Sequence, residues 1–121
     1  MPFMKCKVNF PIVKEKEILL KKSLGQAVEI FPGITEVHLL AVIEDNCKIY
    51  LRGESEIPCA YIEVSIFANE KHFFDAEFSK IVTEIFTEIF NISTRNIYIK
   101  FKDIAAFGAD KMFFDRNDEN A

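Results

Sequence analysis

The chain has 121 residues, enough for one domain around a single core and too few for two. Its formal net charge is −4, with acidic and basic residues interspersed, so no basic stripe is offered to nucleic acid or to an anionic membrane surface. Hydrophobic residues make up 50% of it and 13 are Phe, so either the core is Phe-rich or some apolar surface is covered by other subunits.

From Pro2 to Phe10 the chain alternates, with Met4, Cys6, Val8 and Phe10 on one side and Lys5, Lys7 and Asn9 on the other. That is the period of a strand with one wetter face, and Pro11 ends it. Acidic residues then open a segment in which Leu20, Leu24, Ala27, Val28 and Phe31 recur at helical spacing. The spacing predicts a helix over 14–30, stopped by Pro32 and Gly33. Residues 37–43 are nearly continuously apolar, as in a strand covered on both faces. Glu44, Asp45 and Asn46 turn the chain, residues 48–51 read as a short strand, and 52–56 as a polar loop. Residues 59–67 read as a further strand and 69–72 as a loop. Phe78, Ile81, Val82, Ile85, Phe86 and Ile89 then form the stripe of a second helix over 75–90. A last strand is expected over 97–101. The domain is drawn as 1–114, and 115–121 as a polar, frayed tail.

The two halves share a plan, strand–helix–strand, and even their helix ends are alike: Phe31-Pro32-Gly33-Ile34-Thr35 against Phe90-Asn91-Ile92-Ser93-Thr94. Each half is a βαβ unit. Two such units predict an α/β (α+β) domain, a four-stranded mixed sheet with two helices on one face. The other face is then bare, and residues 37–43 are too apolar to leave it so. Self-association is the economical cover.

Cys6, Cys47 and Cys59 are odd in number and widely spaced, and with His38 and His72 they make no metal-ligand pattern. Neither metal nor cofactor is expected. His38 reads as a structural histidine of an apolar strand, and His72 as a surface loop residue. The start of the chain lacks a charged segment followed by an apolar run, and no stretch approaches membrane-spanning length. The expected setting is the cytoplasm, or export without a signal peptide.

The Met1-Pro2 start, the doubled βαβ plan, the Pro58-Cys59-Ala60 strand entry, Tyr98 followed by Asp103, and Gly108 followed by Phe114 together resemble the macrophage migration inhibitory factor family of the tautomerase superfamily. The likeness runs from Pro2 to about Phe114 and rests on order and spacing, since each motif is short. It implies a homotrimer whose sheets enclose a central channel, with active sites between neighbouring subunits. It implies removal of Met1 and a keto–enol tautomerase with the Pro2 amine as general base, acting on a small aromatic or 2-oxo acid such as phenylpyruvate. Tyr98 of the adjacent subunit would line the pocket, Phe67 would replace a smaller aliphatic residue at its edge, and Phe3, Phe107 and Phe114 would supply apolar walls. The chemistry is sound: an N-terminal proline is a secondary amine, and burial disfavours its cation, leaving a base usable near neutrality.

Three departures bear on substrate. The lysine that the family places after its first helix to hold a carboxylate is missing, and Gly33 stands there. Lys100 stands where the family often has Asn, and Ala109 follows Gly108 in place of an aromatic residue. Lys100 shares a strand face with Tyr98, so it either enters the pocket and binds a carboxylate or is an ordinary solvated or salt-bridged lysine. Tyr61, Glu63 and Ser65 likewise share a face, either the wetter one or the interior of a trimer. Cys59-Ala60-Tyr61-Ile62 lacks the second cysteine of the family's CxxC, so no thiol–disulfide exchange is expected by that route. Two other functions fit the resemblance: a cytokine-like binding module, and a trimer without activity.

Overall fold

The alternation at the start of the chain becomes strand β1, Pro2–Val8, with Met4, Cys6 and Val8 buried and Lys5 exposed. The computed structural model describes residues 1–118, so residues 119–121 of the expected tail lie outside the described residues. β1 ends two residues before Phe10 because Asn9 leaves the ladder for side-chain bonds. Its Nδ2 donates to the Ile57 carbonyl at 2.7 Å, and its Oδ1 accepts from the Cys59 N–H at 2.9 Å.

Helix α1 covers Lys14–Ala27, and the expected last turn tightens into a 3-10 turn, Val28–Ile30. The cause lies just beyond: Pro32 pushes Phe31 into extended backbone, and shorter-range bonds then satisfy the last carbonyls, with Phe31 N–H donating to Val28 at 3.1 Å.

The expected strand over 37–43 needs correction. Glu36–His38 is a 3-10 turn, and β2 is only Leu40–Glu44. Local hydrogen bonding overrides hydrophobicity here, since Thr35 N–H donates to His38 Nδ1 at 3.0 Å and His38 N–H donates back to the Thr35 carbonyl at 2.9 Å. His38 is therefore a turn cap rather than a strand residue. Nor is β2 covered on both faces within the chain: it pairs with β1 alone, at the sheet edge, with Leu40 at 56% and Val42 at 39% exposure, and Val37 in the turn before it is at 86%. Residues 48–51 form no strand either. Leu51 and Glu54 instead close a tight turn through Arg52 and Gly53, both at positive φ.

β3 is Ala60–Phe67, α2 is Asp75–Phe90 as the apolar stripe predicts, and β4 is Ile97–Ile104, three residues longer than expected. The sheet order is β2-β1-β3-β4. β1 and β2 are parallel, as are β3 and β4, and the two units meet through antiparallel β1 and β3. Both helices lie on one face. Leu20 and Leu24 of α1 and Phe78, Val82 and Phe86 of α2 pack with Met4, Cys6, Ile62 and Val64 in one core. Burial there drives the Cys6 thiol pKa up to about 12, so it is an inert apolar side chain. No helix covers the opposite sheet face within the chain.

A hairpin absent from the sequence reading follows: β5, Ala106–Ala109, and β6, Met112–Asp115, turned by Asp110 and Lys111 at φ +51° and +64°. Left-handed residues suit a tight hairpin, but Asp-Lys lacks the glycine that signals one. Order therefore runs past Phe114. Asp115 closes β6, and the Arg116 guanidinium grips the Asp103 carboxylate. Among the described residues no helix is long and apolar enough to cross a membrane.

Candidate active site

Strand β1 begins at Pro2, which is buried and lies opposite Ile66 of β3. Both residues sit in a groove of about 270 Å³. One wall is the turn after α1, through Phe31, Pro32 and Ile34. The other is the loop between β3 and α2, through Phe67, Asn69, Phe73 and Phe74. Apart from the terminal amine, no charged group lines the groove among the described residues. Burial pushes the Met1 amine at this groove below its ordinary pKa. The Met1 carbonyl accepts the Phe67 N–H at 3.3 Å.

The loop from Ala68 to Phe74 holds its shape by polar bonds. Ala68, His72 and Phe74 have positive φ without glycine, a costly backbone that needs fixing. Asn69 supplies much of the fix. Its side chain donates to the Phe73 carbonyl at 3.0 Å and accepts the Phe73 N–H at 3.0 Å, bracketing that residue. Its amide also reaches the buried Asp75 at 3.3 Å, and Asp75 in turn binds His72 Nδ1 at 2.8 Å. Asn69 N–H donates to Asp103 at 2.8 Å. The Arg116 guanidinium beside Asp103, with that N–H, holds its carboxyl below the usual carboxylate range, while Asp103 raises the Arg116 pKa. His72 is thus exposed, as the sequence suggested, and also tethered.

Of the residues singled out in the sequence, five gather at this end. Phe107 of β5 stacks on Phe114 of β6 at 4.8 Å, and its ring lies 5.0 Å from Phe67 and 5.6 Å from Phe3. Phe67 belongs both to this cluster and to the Pro2 groove. Tyr98 and Lys100 do not join them within one chain. The register runs Pro2–Ile66–Asp103 across the sheet, and Tyr98 lies five residues back along β4, about 17 Å away. Tyr98 lines a second apolar groove at the opposite end, also about 270 Å³, with Tyr50, Leu51, Cys59 and Tyr61. Burial raises the Cys59 thiol pKa there, with Arg52 opposing. Lys100 is exposed on the bare sheet face, opposite Glu63, which lies in turn opposite Lys5. Glu63 accepts the Tyr61 hydroxyl at 2.8 Å. That bond first, then Lys5, Lys100 and Lys7, holds its carboxyl below the usual range against the effect of burial.

The sequence reading missed Phe31, Phe73, Phe74 and Asn69 as groove residues. The available signal was the Phe73-Phe74 pair, two large apolar residues inside an otherwise polar loop.

The architecture matches solved structures over nearly the whole chain. Leishmania major MIF2 superposes with a TM-score of 0.85 at 19% identity, covering 94% of this chain and 97% of that one. The chain has the fold of macrophage migration inhibitory factor. The homologue of that factor from Prochlorococcus marinus matches with a TM-score of 0.80 at 21% identity, over 93% of this chain and 98% of that one. A fused 4-OT protein described as a symmetric trimer matches with a TM-score of 0.77 at 15% identity, over 89% of this chain and 91% of that one. No family model and no curated protein matches the sequence. The macrophage migration inhibitory factor fold thus places Pro2 at the head of the first strand, on the floor of an apolar groove. Gly33, where the resemblance expects a lysine, has φ +77°, a left-handed turn that a lysine would adopt only with strain.

Proposed function

We propose that this chain, with Met1 removed, is a keto–enol tautomerase that uses the Pro2 amine as general base on a small aromatic or 2-oxo carbonyl compound of the phenylpyruvate type. The observation that carries this reading is the burial of Pro2 on the floor of an uncharged apolar groove in a macrophage migration inhibitory factor fold. The amine one residue upstream is already pushed toward neutrality by burial, and the Pro2 nitrogen belongs to a more buried residue.

The neutral amine takes a proton from the carbon beside the carbonyl, and that electron pair forms the enolate C=C bond. The carbonyl oxygen then accepts a proton to give the enol, and the reverse path returns the proton to carbon. Loss of Met1 also removes the acceptor of the Phe67 N–H, which would free a backbone donor beside the amine for the developing enolate oxygen.

A homotrimer is part of the proposal. The bare sheet face, the apolar edge of β2 and the position of Tyr98 at the end remote from its own Pro2 support a site completed by Tyr98 and Lys100 of a neighbouring subunit. The structural likeness to a trimeric 4-OT supports it further.

The test compares ketonisation of phenylpyruvate enol by processed wild type and by Pro2→Gly. Wild type should be faster by about 10²-fold or more, and equal rates would defeat the reading. One structural neighbour, Pt0534, is known inactivated by 2-oxo-3-pentynoate. The same compound should add to the amine of Pro2, giving a mass increment on the N-terminal peptide and loss of activity. An inactive trimer would show neither.

A further inference from the structure

Phe73 and Phe74 stand at the mouth of the Pro2 groove with 62% and 42% of their surface exposed, unusual for adjacent phenylalanines in a loop of only a few residues. They are not loose. Asn69 brackets both backbone groups of Phe73, and the Phe74 ring meets the Phe31 ring edge-on at 6.4 Å across the groove. The loop's polar members Glu70, Lys71 and His72 are exposed and do not line the groove. On the opposite wall Gly33 occupies a left-handed turn where no cation projects. Lys100, the cation a neighbouring subunit would bring, lies opposite Glu63 of its own chain, a carboxylate whose field it shares with Lys5 and Lys7. The walls that this chain supplies thus offer rings and no charged side chain, so a carboxylate entering there loses hydration without a counter-ion from them.

We infer that Phe73 and Phe74 form a specificity lip, and that the site takes an uncharged aryl-substituted carbonyl compound in preference to the corresponding 2-oxo acid. This rests on the tautomerase reading for turnover, but the selectivity belongs to the groove itself and is readable by binding alone. Rings held in place contribute area and edge-to-face contact at low entropic cost, which suits recognition of an aryl group.

The experiment has two arms. In the first, processed wild type is given phenylpyruvate and its methyl ester. The ester should show the higher kcat/KM, by about tenfold or more. Phe73→Ala should lower kcat/KM for the ester by about tenfold, chiefly through KM. Phe73→Leu, which keeps apolar bulk, should recover part of it. Equal or better turnover of the acid, or an unchanged KM in Phe73→Ala, overturns the inference. In the second arm, calorimetry compares benzylacetone, an uncharged aryl ketone, with the carboxylate hydrocinnamate on wild type and Phe73→Ala. Tighter binding of the ketone, lost in Phe73→Ala, supports the lip; equal or tighter binding of the carboxylate overturns it. If neither phenylpyruvate nor its ester is turned over, the tautomerase reading fails and the second arm alone decides the lip. Phe73 is largely exposed, so its substitution leaves the core intact, which a thermal melt verifies.

Discussion

The two ends of the sheet carry apolar grooves of the same volume, about 270 Å³ each, yet they are built differently. At the Pro2 end, a loop with three left-handed residues is tied down through Asn69, Asp75 and His72, and through Asp103 and Arg116. At the Tyr98 end, the exposed rings of Tyr50 and Tyr98 border the groove. One end is a shaped cavity with a chemically distinct floor, and the other is an aromatic surface suited to lie against something else. The contrast teaches why the proposed function needs an assembly: the Pro2 groove and the Tyr98 groove lie at opposite ends of one chain.

The strongest way to break this comparison is at the floor. Pro2→Gly should lower kcat/KM by about 10²-fold or more, and, because the Pro2 ring is fully buried, it should lower Tm as well. The pH profile sharpens the point. Only the neutral amine is a base, so activity should rise with pH through the amine pKa. Since burial lowers that pKa, the plateau should be reached below the range of an exposed amine, about 7.7–8.0.

Next in size is the test of complementarity. Tyr98→Ala should lower kcat/KM by about tenfold, and a refolded mixture of Pro2→Gly with Tyr98→Ala should be more active than either alone. Mixed assemblies pair an intact Pro2 with an intact Tyr98, whereas sites built within one chain would gain nothing. A smaller effect is expected from Asn69→Ala, which releases the bracket on Phe73 and strands part of the Asp75 network. It should cost about 1–3 kcal/mol in urea unfolding and speed amide exchange in the loop.

The smallest effect concerns Asp103. Its folded pKa is depressed, so its contribution is present above the ordinary carboxylate pKa and fades as pH falls through the folded value. Asp103→Asn should therefore lower the urea midpoint at neutral pH and converge on wild type in acid. A constant gap at all pH values would assign the loss to packing instead.

Periodicity carried much of this structure. α2 matches its apolar stripe from Asp75 to Phe90, and the alternation in β1 correctly separates Met4, Cys6 and Val8 from Lys5. The failures have local causes. Residues 37–43 looked like a doubly covered strand, but the Thr35–His38 cap diverted half of them into a turn, and the rest became an edge. The β5–β6 hairpin was illegible because Asp110 and Lys111 give no glycine signal. Pro2, Phe3, Phe67, Phe107 and Phe114, which the structure brings to one end of the sheet, were legible through the order and spacing of short motifs. Phe73, Phe74 and Asn69 were not, since their placement depends on hydrogen bonds that no spacing rule encodes.

The rim at Leu40 and Val42 has a bearing on how the chain behaves when dilute. A terminal ladder with unpaired amides and greasy side chains is a template for any passing extended segment. Partner subunits that cap it would make melting temperature climb with protein concentration, and the isolated subunit would be the aggregation-prone species.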